Sequence, residues 1–369
     1  MINMQESEQQ SKVIGFLRGV LPFLVVSVHT SITEQQLGFN SPASFLCLLV
    51  SELGGIIVPC FFIFSGYFFF SRLQDWNWSI WLDKLKKRVG TLLIPYLLWN
   101  AIWIVHRFVV DSLKSHQLVN ILDLIQSRGS LRAFYDMGFT YVPSYQNIFG
   151  ITIFEGHPVN FPLWFVRDLM ILAVLAPLIY CFIKQTKRCG VILLYLFYLF
   201  DIRIPWTGFS MTSCFYFSLG AYFMINGRLF MDFFRRIRVP VYFFALVMFI
   251  ACMIMSSVNE VVHTYLERIF VPLEVIAVCN LTDALLQSDR VKVKENLIKS
   301  SFFIYAMHIM LVNPVYKTWN SIMVSTPFSD VLRVFFVPAF VWLGCYMTFC
   351  ILKKCCPTVL GILTGNRGL

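Results

Sequence analysis

The sequence predicts an all-α, polytopic membrane protein of about ten transmembrane helices with both termini cytoplasmic. Three observations predict it. Hydrophobic residues make up 58% of the 369 residues and charged residues only 14%, with 38 phenylalanines and a mean hydropathy of +0.70. An ordinary soluble domain carries roughly 25% charged residues. The apolar residues fall in continuous runs of bilayer-spanning length, not in the alternation of a barrel strand. The basic residues gather between alternate runs, as the positive-inside rule expects of cytoplasmic loops. The net charge of +10 is accounted for in this way, which points to a lipid bilayer and away from nucleic acid.

Residues 1–13 read as a short polar cytoplasmic segment without the basic leader or small-residue cleavage site of a signal peptide. The membrane domain then covers 14–352. Its expected spans are 14–31, 45–70, 89–110, 162–183, 189–206, 208–225, 240–258, 266–286, 301–319 and 331–352. The fifth is the weakest, being short and ending in DIRIPW. The fifth and sixth therefore read as tilted or broken helices. A cytoplasmic tail, 353–369, closes on the polar extension TGNRGL.

Placing the N-terminus inside puts Lys84, Lys86, Lys87 and Arg88 in one inner loop and Lys184, Lys187 and Arg188 in the next. Arg228, Arg235, Arg236 and Arg238 follow, then Arg290, Lys292, Lys294 and Lys299, then Lys353 and Lys354. The outer ends hold sparser cations, among them Arg107, Arg128, Arg203 and Arg268. The one long connection, 111–161, is then external. Its Tyr135, Asp136, Tyr141, Tyr145, Gln146, Asn147, Glu155 and His157 would suit a sugar, which takes aromatic faces and amides; a partly disordered or amphipathic loop reads equally well. The 11 cysteines show no CxxC pair and no histidine at metal-ligand spacing, so free thiols are expected, with no bound metal and no disulfide framework.

The chemistry lies in ionisable residues placed where hydrocarbon makes them costly. The first span, IGFLRGVLPFLVVSVHTS, carries Arg18 and His29. On a helix they stand about three turns apart, within about 20° of one face and about 16 Å along the axis. A permanent cation and a titratable base thus share one face, unless Arg18 merely snorkels and His29 merely sits at the interface. The second span ends FFIFSGYFFFSR, where Ser65 and Gly66 let another helix or a ligand approach the backbone. The third opens KLKKRVGTLLIPY, so Lys87 and Arg88 are either topology anchors or contacts for a phosphorylated ligand. The fourth begins FPLWFVRDLMIL, with Trp164, Arg167 and Asp168 at its outer end. His308 in SFFIYAMHIMLV and Glu274 in VPLEVIAV are buried ionisable groups that read as structural residues at least as well as functional ones.

Taken in order, these landmarks resemble the acyltransferase-3 family of integral membrane acyltransferases, in the branch acting on surface polysaccharides. The resemblance rests on Arg18 and His29, on FFIFSGYFF, KKRVGTLLIPY, LWFVRDL and FFIYAMH, and covers the chain from Ile14 to the last span. It implies an acyl-CoA donor, usually acetyl-CoA, and a glycan hydroxyl as acceptor, in a bacterial inner membrane. It also implies that His29 is the catalytic residue with Arg18 required beside it. One departure stands out: an Arg-x-x-Arg pair is common at the entry to the third span, and here Thr91 follows Arg88 at the second position. Acyl transfer to a hydroxyl needs a base, and neutral imidazole suits it near pH 7. His29 as general base is the preferred reading; as a carrier of the acyl group it remains an alternative. A transporter or flippase of a lipid-linked sugar is the competing function, although no repeated half with matching broken helices is visible.

Overall fold

The computed structural model describes residues 4–35, 41–71, 73, 75–115, 145–146, 152–153, 157–202, 209–288, 291 and 294–367. Within them the chain is helical, apart from a two-residue antiparallel ladder that pairs Tyr145–Gln146 with Thr152–Ile153. Much of the long connection 111–161 lies outside the described residues, including Tyr135, Asp136, Tyr141, Asn147 and Glu155. Arg128, Arg203, Arg290 and Lys292 lie outside them as well.

Helix α1, Met4–Gln35, runs through both the polar opening segment and the first expected span. The opening turns do not stand apart. Gln9 Nε2 donates to Asp283 Oδ1 at 2.9 Å, and Gln10 Oε1 accepts from the Met231 backbone N–H at 3.2 Å. The second span is broken into α2, Pro42–Gly54, and α3, Ile57–Phe69. The break falls where valine side chains crowd the backbone. A Cβ on Gly54 would lie 2.4 Å from Val28 of α1, and one on Gly55 2.8 Å from Val271.

The third span is one rod made of α4, Trp78–Arg88, a π-helical turn, Val89–Leu93, and α5, Ile94–Ser115. A 3-10 turn, Phe161–Leu163, leads into α6, Trp164–Val174, and α7, Ala176–Thr186. These two are bent by 67°. Pro177 in the first turn of α7 supplies the cause, since it withholds an N–H and disfavours helix in the residue before it. Two shorter apolar helices follow, α8, Arg188–Leu199, and α9, Met211–Ile225. Then come α10, Phe230–Arg236; α11, Arg238–Val258; α12, Glu260–Gln287; α13, Glu295–Ile322; α14, Pro327–Cys355; and α15, Pro357–Thr364. Among the described residues seven helical segments have the length and hydropathy to cross a bilayer, or eight with the bent α6–α7 pair. With α8 and α9 each of the expected apolar runs has a helical counterpart, though those two are short. This is an integral membrane protein.

Helix starts follow local chemistry. Ser41, Asn77, Ser210 and Asn259 each accept a backbone N–H from their own first turn, and Thr326 with Ser329 forms a capping box. The core is aromatic, with Phe62, Phe64, Phe69, Phe70, Tyr216 and Phe217 fully enclosed. Its tightest crossing joins α3 to α9: a Cβ on Gly66 would lie 2.0 Å from Phe217 O, and one on Gly220 2.1 Å from Ile63 O. Polar ties hold the periphery. Arg235 grips Asp283 with two hydrogen bonds of 2.7 and 3.0 Å, and His263 meets Glu52 at 2.7 Å. Of the cysteines, all free, six are buried and Cys181, Cys189, Cys355 and Cys356 lie at the surface.

Candidate active site

Two polar centres lie on α1, separated by its own length between Arg18 and His29. At the His29 end, α13 runs alongside α1 in the same direction. Ile298 of α13 packs on Gly15, with 3.3 Å to a Cβ placed there, and ten residues later His308 reaches His29. The two imidazole centroids are 5.1 Å apart. His308 is fully buried, and its Nδ1 lies 2.7 Å from the Tyr305 carbonyl oxygen. A carbonyl only accepts, so Nδ1 carries a proton and neutral His308 keeps its lone pair on Nε2. That Nε2 has no partner among the described residues.

The segment before α6 closes over this pair. The Phe161 ring stands edge-on to His29 at 6.1 Å, and His157 packs on Phe161 at 4.5 Å. Asn160 pins the segment: its N–H donates to Asn100 Oδ1 at 2.9 Å and its Nδ2 to the Ala306 carbonyl at 3.0 Å. The Tyr305 hydroxyl donates to the Pro162 carbonyl. Three buried polar atoms therefore remain unpartnered here among the described residues: His308 Nε2, Asn160 Oδ1 and His157 Nδ1. Buried polar atoms without partners are uncommon and call for an explanation. Burial, helped by the nearby Arg167 charge, drives the His157 imidazole from its ordinary 6.5 down to about 4, so it is neutral at physiological pH. Arg167 and Asp168, both buried, bind each other through Nε at 3.2 Å and Nη2 at 3.1 Å.

At the Arg18 end three guanidinium groups come together, from Arg18, Arg88 and Arg367. No carboxylate among the described residues pairs with any of them. Arg88 lies over the Phe69 ring at 5.7 Å, and Lys84 over the same ring at 5.5 Å. The π-helical turn begins one residue after Arg88; such turns recur at functional sites. Sequence reading named Arg18 and Arg88 but missed Arg367. Nothing in TGNRGL distinguishes that arginine from an ordinary membrane-flanking cation.

The other expected residues fall in different places. Lys87 is exposed. Ser65 is half-buried on α3, while Gly66 is occupied by the α3–α9 crossing and so serves helix packing. Trp164 opens α6, half-buried against the core. Glu274 sits at the α2–α3 break, 3.9 Å from a Cβ placed on Gly55, in an acidic group with Glu52 and Glu267. A cavity of about 880 Å3 opens among α8, α9 and α10, lined in part by Arg188, Arg228 and Arg236, and contains none of the expected site residues.

The chain is similar to the succinoglycan biosynthesis protein ExoH of Rhizobium meliloti (strain 1021), with 30% identity over 189 residues. That match covers 47% of this chain and 44% of ExoH, less than half the length of the curated relative. No solved structure matches. The family described as Acyltransferase domain, acyltransferase-3, matches residues 12–352, from the opening turns of α1 to the end of α14. The match takes in both ends of the α1 face, and this chain belongs to the acyltransferase-3 family.

Proposed function

We propose that this chain is a membrane O-acyltransferase that moves an acyl group, acetyl first, from cytosolic acyl-CoA to a hydroxyl of a surface or lipid-linked glycan. The observation that carries the reading is the pair of centres on one face of α1. A cluster of arginines without counter-charge suits phosphates, and arginine binds them through paired N–H donors. An imidazole pair with unpartnered polar atoms suits a hydroxyl and a reacting carbonyl. The distance between the centres suits the donor. Arg18 and His29 are about 16 Å apart along the helix. The pantetheine arm of CoA has about thirteen bonds between phosphorus and sulfur, and at ~1.2 Å advance per bond it reaches roughly 16 Å.

In this reading Arg18 and Arg88 hold the CoA phosphates at the cytoplasmic side while the thioester lies beside His29. His29 takes the proton of the acceptor hydroxyl as its oxygen attacks the thioester carbonyl. A carbon–oxygen bond forms, the carbon–sulfur bond breaks, and the proton leaves with the CoA thiol. His308, with Nε2 open as an acceptor, orients the His29 ring. His157, Asn160 and the Arg167–Asp168 pair line the acceptor side, and Trp164 and Glu274 support the fold around it. Both termini lie in the cytoplasm of a bacterium, the enzyme sits in its inner membrane, and 14–352 forms the transferase domain. ExoH is named for succinoglycan biosynthesis, which supports a glycan as acceptor.

The test is acetyl-CoA binding to the purified protein in nanodiscs, wild type against Arg18→Ala. Saturable binding weakened at least about tenfold by the substitution is the expected result, since a charge-assisted contact is lost. Folded wild-type protein that binds no acyl-CoA would overturn the reading and favour export of a lipid-linked sugar.

A further inference from the structure

We infer that Arg367 is a third arm of the phosphate site, brought from the far end of the sequence to stand with Arg18 and Arg88. The inference rests on the donor reading above and extends it to a residue outside the family match, which ends at 352.

The backbone is built to deliver this side chain. Helix α15 is anchored by Trp99, whose Nε1 donates to the Leu363 carbonyl at 3.0 Å, and by Leu360, which is fully buried. The helix ends at Gly365 in the left-handed region, φ 61°. Asn366 N–H then donates to the Gly361 carbonyl at 2.7 Å, the closing bond of a glycine-terminated helix. Glycine is needed here twice over. Its φ is positive, and a Cβ would lie 2.4 Å from the Thr91 carbonyl oxygen and 2.6 Å from Thr91 Cα. The segment after α15 is therefore pressed directly onto the π-helical turn that follows Arg88.

Two contacts then fix the Arg367 side chain. Nη2 donates to the Thr91 carbonyl at 2.9 Å, and the guanidinium lies 4.8 Å over the Phe302 ring of α13. One of its five N–H donors is used, and no second hydrogen-bond partner is present among the described residues. Burial, with Arg18 and Arg88 beside it, pulls the group from its ordinary 12.5 down to about 9, still charged at neutral pH. Three half-buried like charges held together are costly in the free protein, and a ligand of opposite charge relieves that cost. The carbonyl of Thr91 orients Arg367 without neutralising it. A diphosphate with a further phosphate on the ribose, as in CoA, supplies the matching charges. An anionic lipid headgroup carries the same phosphate chemistry, so the test separates the two.

The test uses the full chain in zwitterionic nanodiscs and compares wild type, Arg367→Gln, Arg367→Lys and Arg88→Gln. Each is titrated with CoA and with S-acetylpantetheine, which has the thioester arm but no phosphate. The backbone here is held by the Gly365 turn and the Asn366–Gly361 bond, and a wild-type melting temperature checks that Arg367→Gln retains the fold. The expected result is a loss of CoA affinity of about ten- to a hundred-fold in Arg367→Gln and a smaller loss in Arg367→Lys. Affinity for S-acetylpantetheine should stay unchanged. Equal losses for both ligands would reduce Arg367 to a structural prop and overturn the inference. Unchanged CoA affinity in Arg367→Gln, with Arg88→Gln impaired, would overturn it while leaving the donor reading intact. Failure of wild type to bind CoA, together with thermal stabilisation by phosphatidylglycerol that Arg367→Gln abolishes, would assign the cluster to lipid.

Discussion

Substituting alanine at Gly66 tests what that glycine does, because packing and donor binding predict different outcomes. The new methyl would meet Phe217 O at 2.0 Å and Phe217 C at 2.9 Å, both main-chain atoms that cannot swing aside. Ordinary contact begins near 3.4 Å, so α3 and α9 would have to part by about 1 Å or more. Overpacking of a dense core costs about 1–3 kcal/mol, and a clash between backbones belongs at the upper end. Gly220 faces the same crossing from the other helix, where an added Cβ would lie 2.1 Å from Ile63 O. Once the helices have parted for one methyl, the second fits with little further movement. The double variant should therefore be only slightly less stable than either single one, a strong departure from additivity. Thermal unfolding in detergent, followed by tryptophan fluorescence, reads the effect. Acetyl-CoA affinity per folded molecule should remain that of wild type. An undisturbed melting temperature together with weakened donor binding would refute the packing argument and return Gly66 to the donor site.

Two other predictions address the His29 end. Replacing His308 by Phe preserves a ring of similar size and removes the open Nε2 acceptor. Acyl transfer should fall at least about tenfold with donor affinity unchanged, and the pH dependence of the rate should shift as well; a wild-type rate and pH profile would remove His308 from the mechanism. His157 makes the protein sensitive to acid. Its imidazole titrates at about 4 in the folded chain against an ordinary 6.5, so the unfolded chain binds more protons between those values. The stability is present above about pH 6.5 and is lost as pH falls toward 4. The melting temperature of wild type should fall more steeply than that of His157→Asn across that window as the pH drops; parallel curves would contradict it.

The sequence made the α1 face legible because helix periodicity is local. Arg18 and His29 share a helix, and their spacing alone puts them on one face. Their partners were not legible, because His308 and Arg367 arrive through tertiary packing from distant segments. His308 read equally well as a structural or a functional residue, and nothing in TGNRGL marks Arg367. Hydropathy located the apolar runs but not their interruptions. The α2–α3 break depends on Gly54 and Gly55 meeting Val28 and Val271, contacts that no local pattern encodes. Pro177, by contrast, is a local signal for the α6–α7 bend. The opening segment looked like a polar appendage on composition, yet Gln9 and Gln10 are tied to Asp283 and Met231. Gly66 was open to either role until the α3–α9 crossing accounted for it.

The central claim is that the imidazole at the outer end of α1 performs chemistry on a donor held by the arginines at the other end. The direct measurement is the acetyl content of surface polysaccharide, read by NMR, in cells lacking the native gene and carrying either wild type or His29→Ala. Donor binding by the same purified proteins is measured in parallel. The account predicts that His29→Ala binds acetyl-CoA as wild type does and transfers at least about a hundredfold less, within the range for loss of a general base. Wild-type acetylation by folded His29→Ala protein would contradict it.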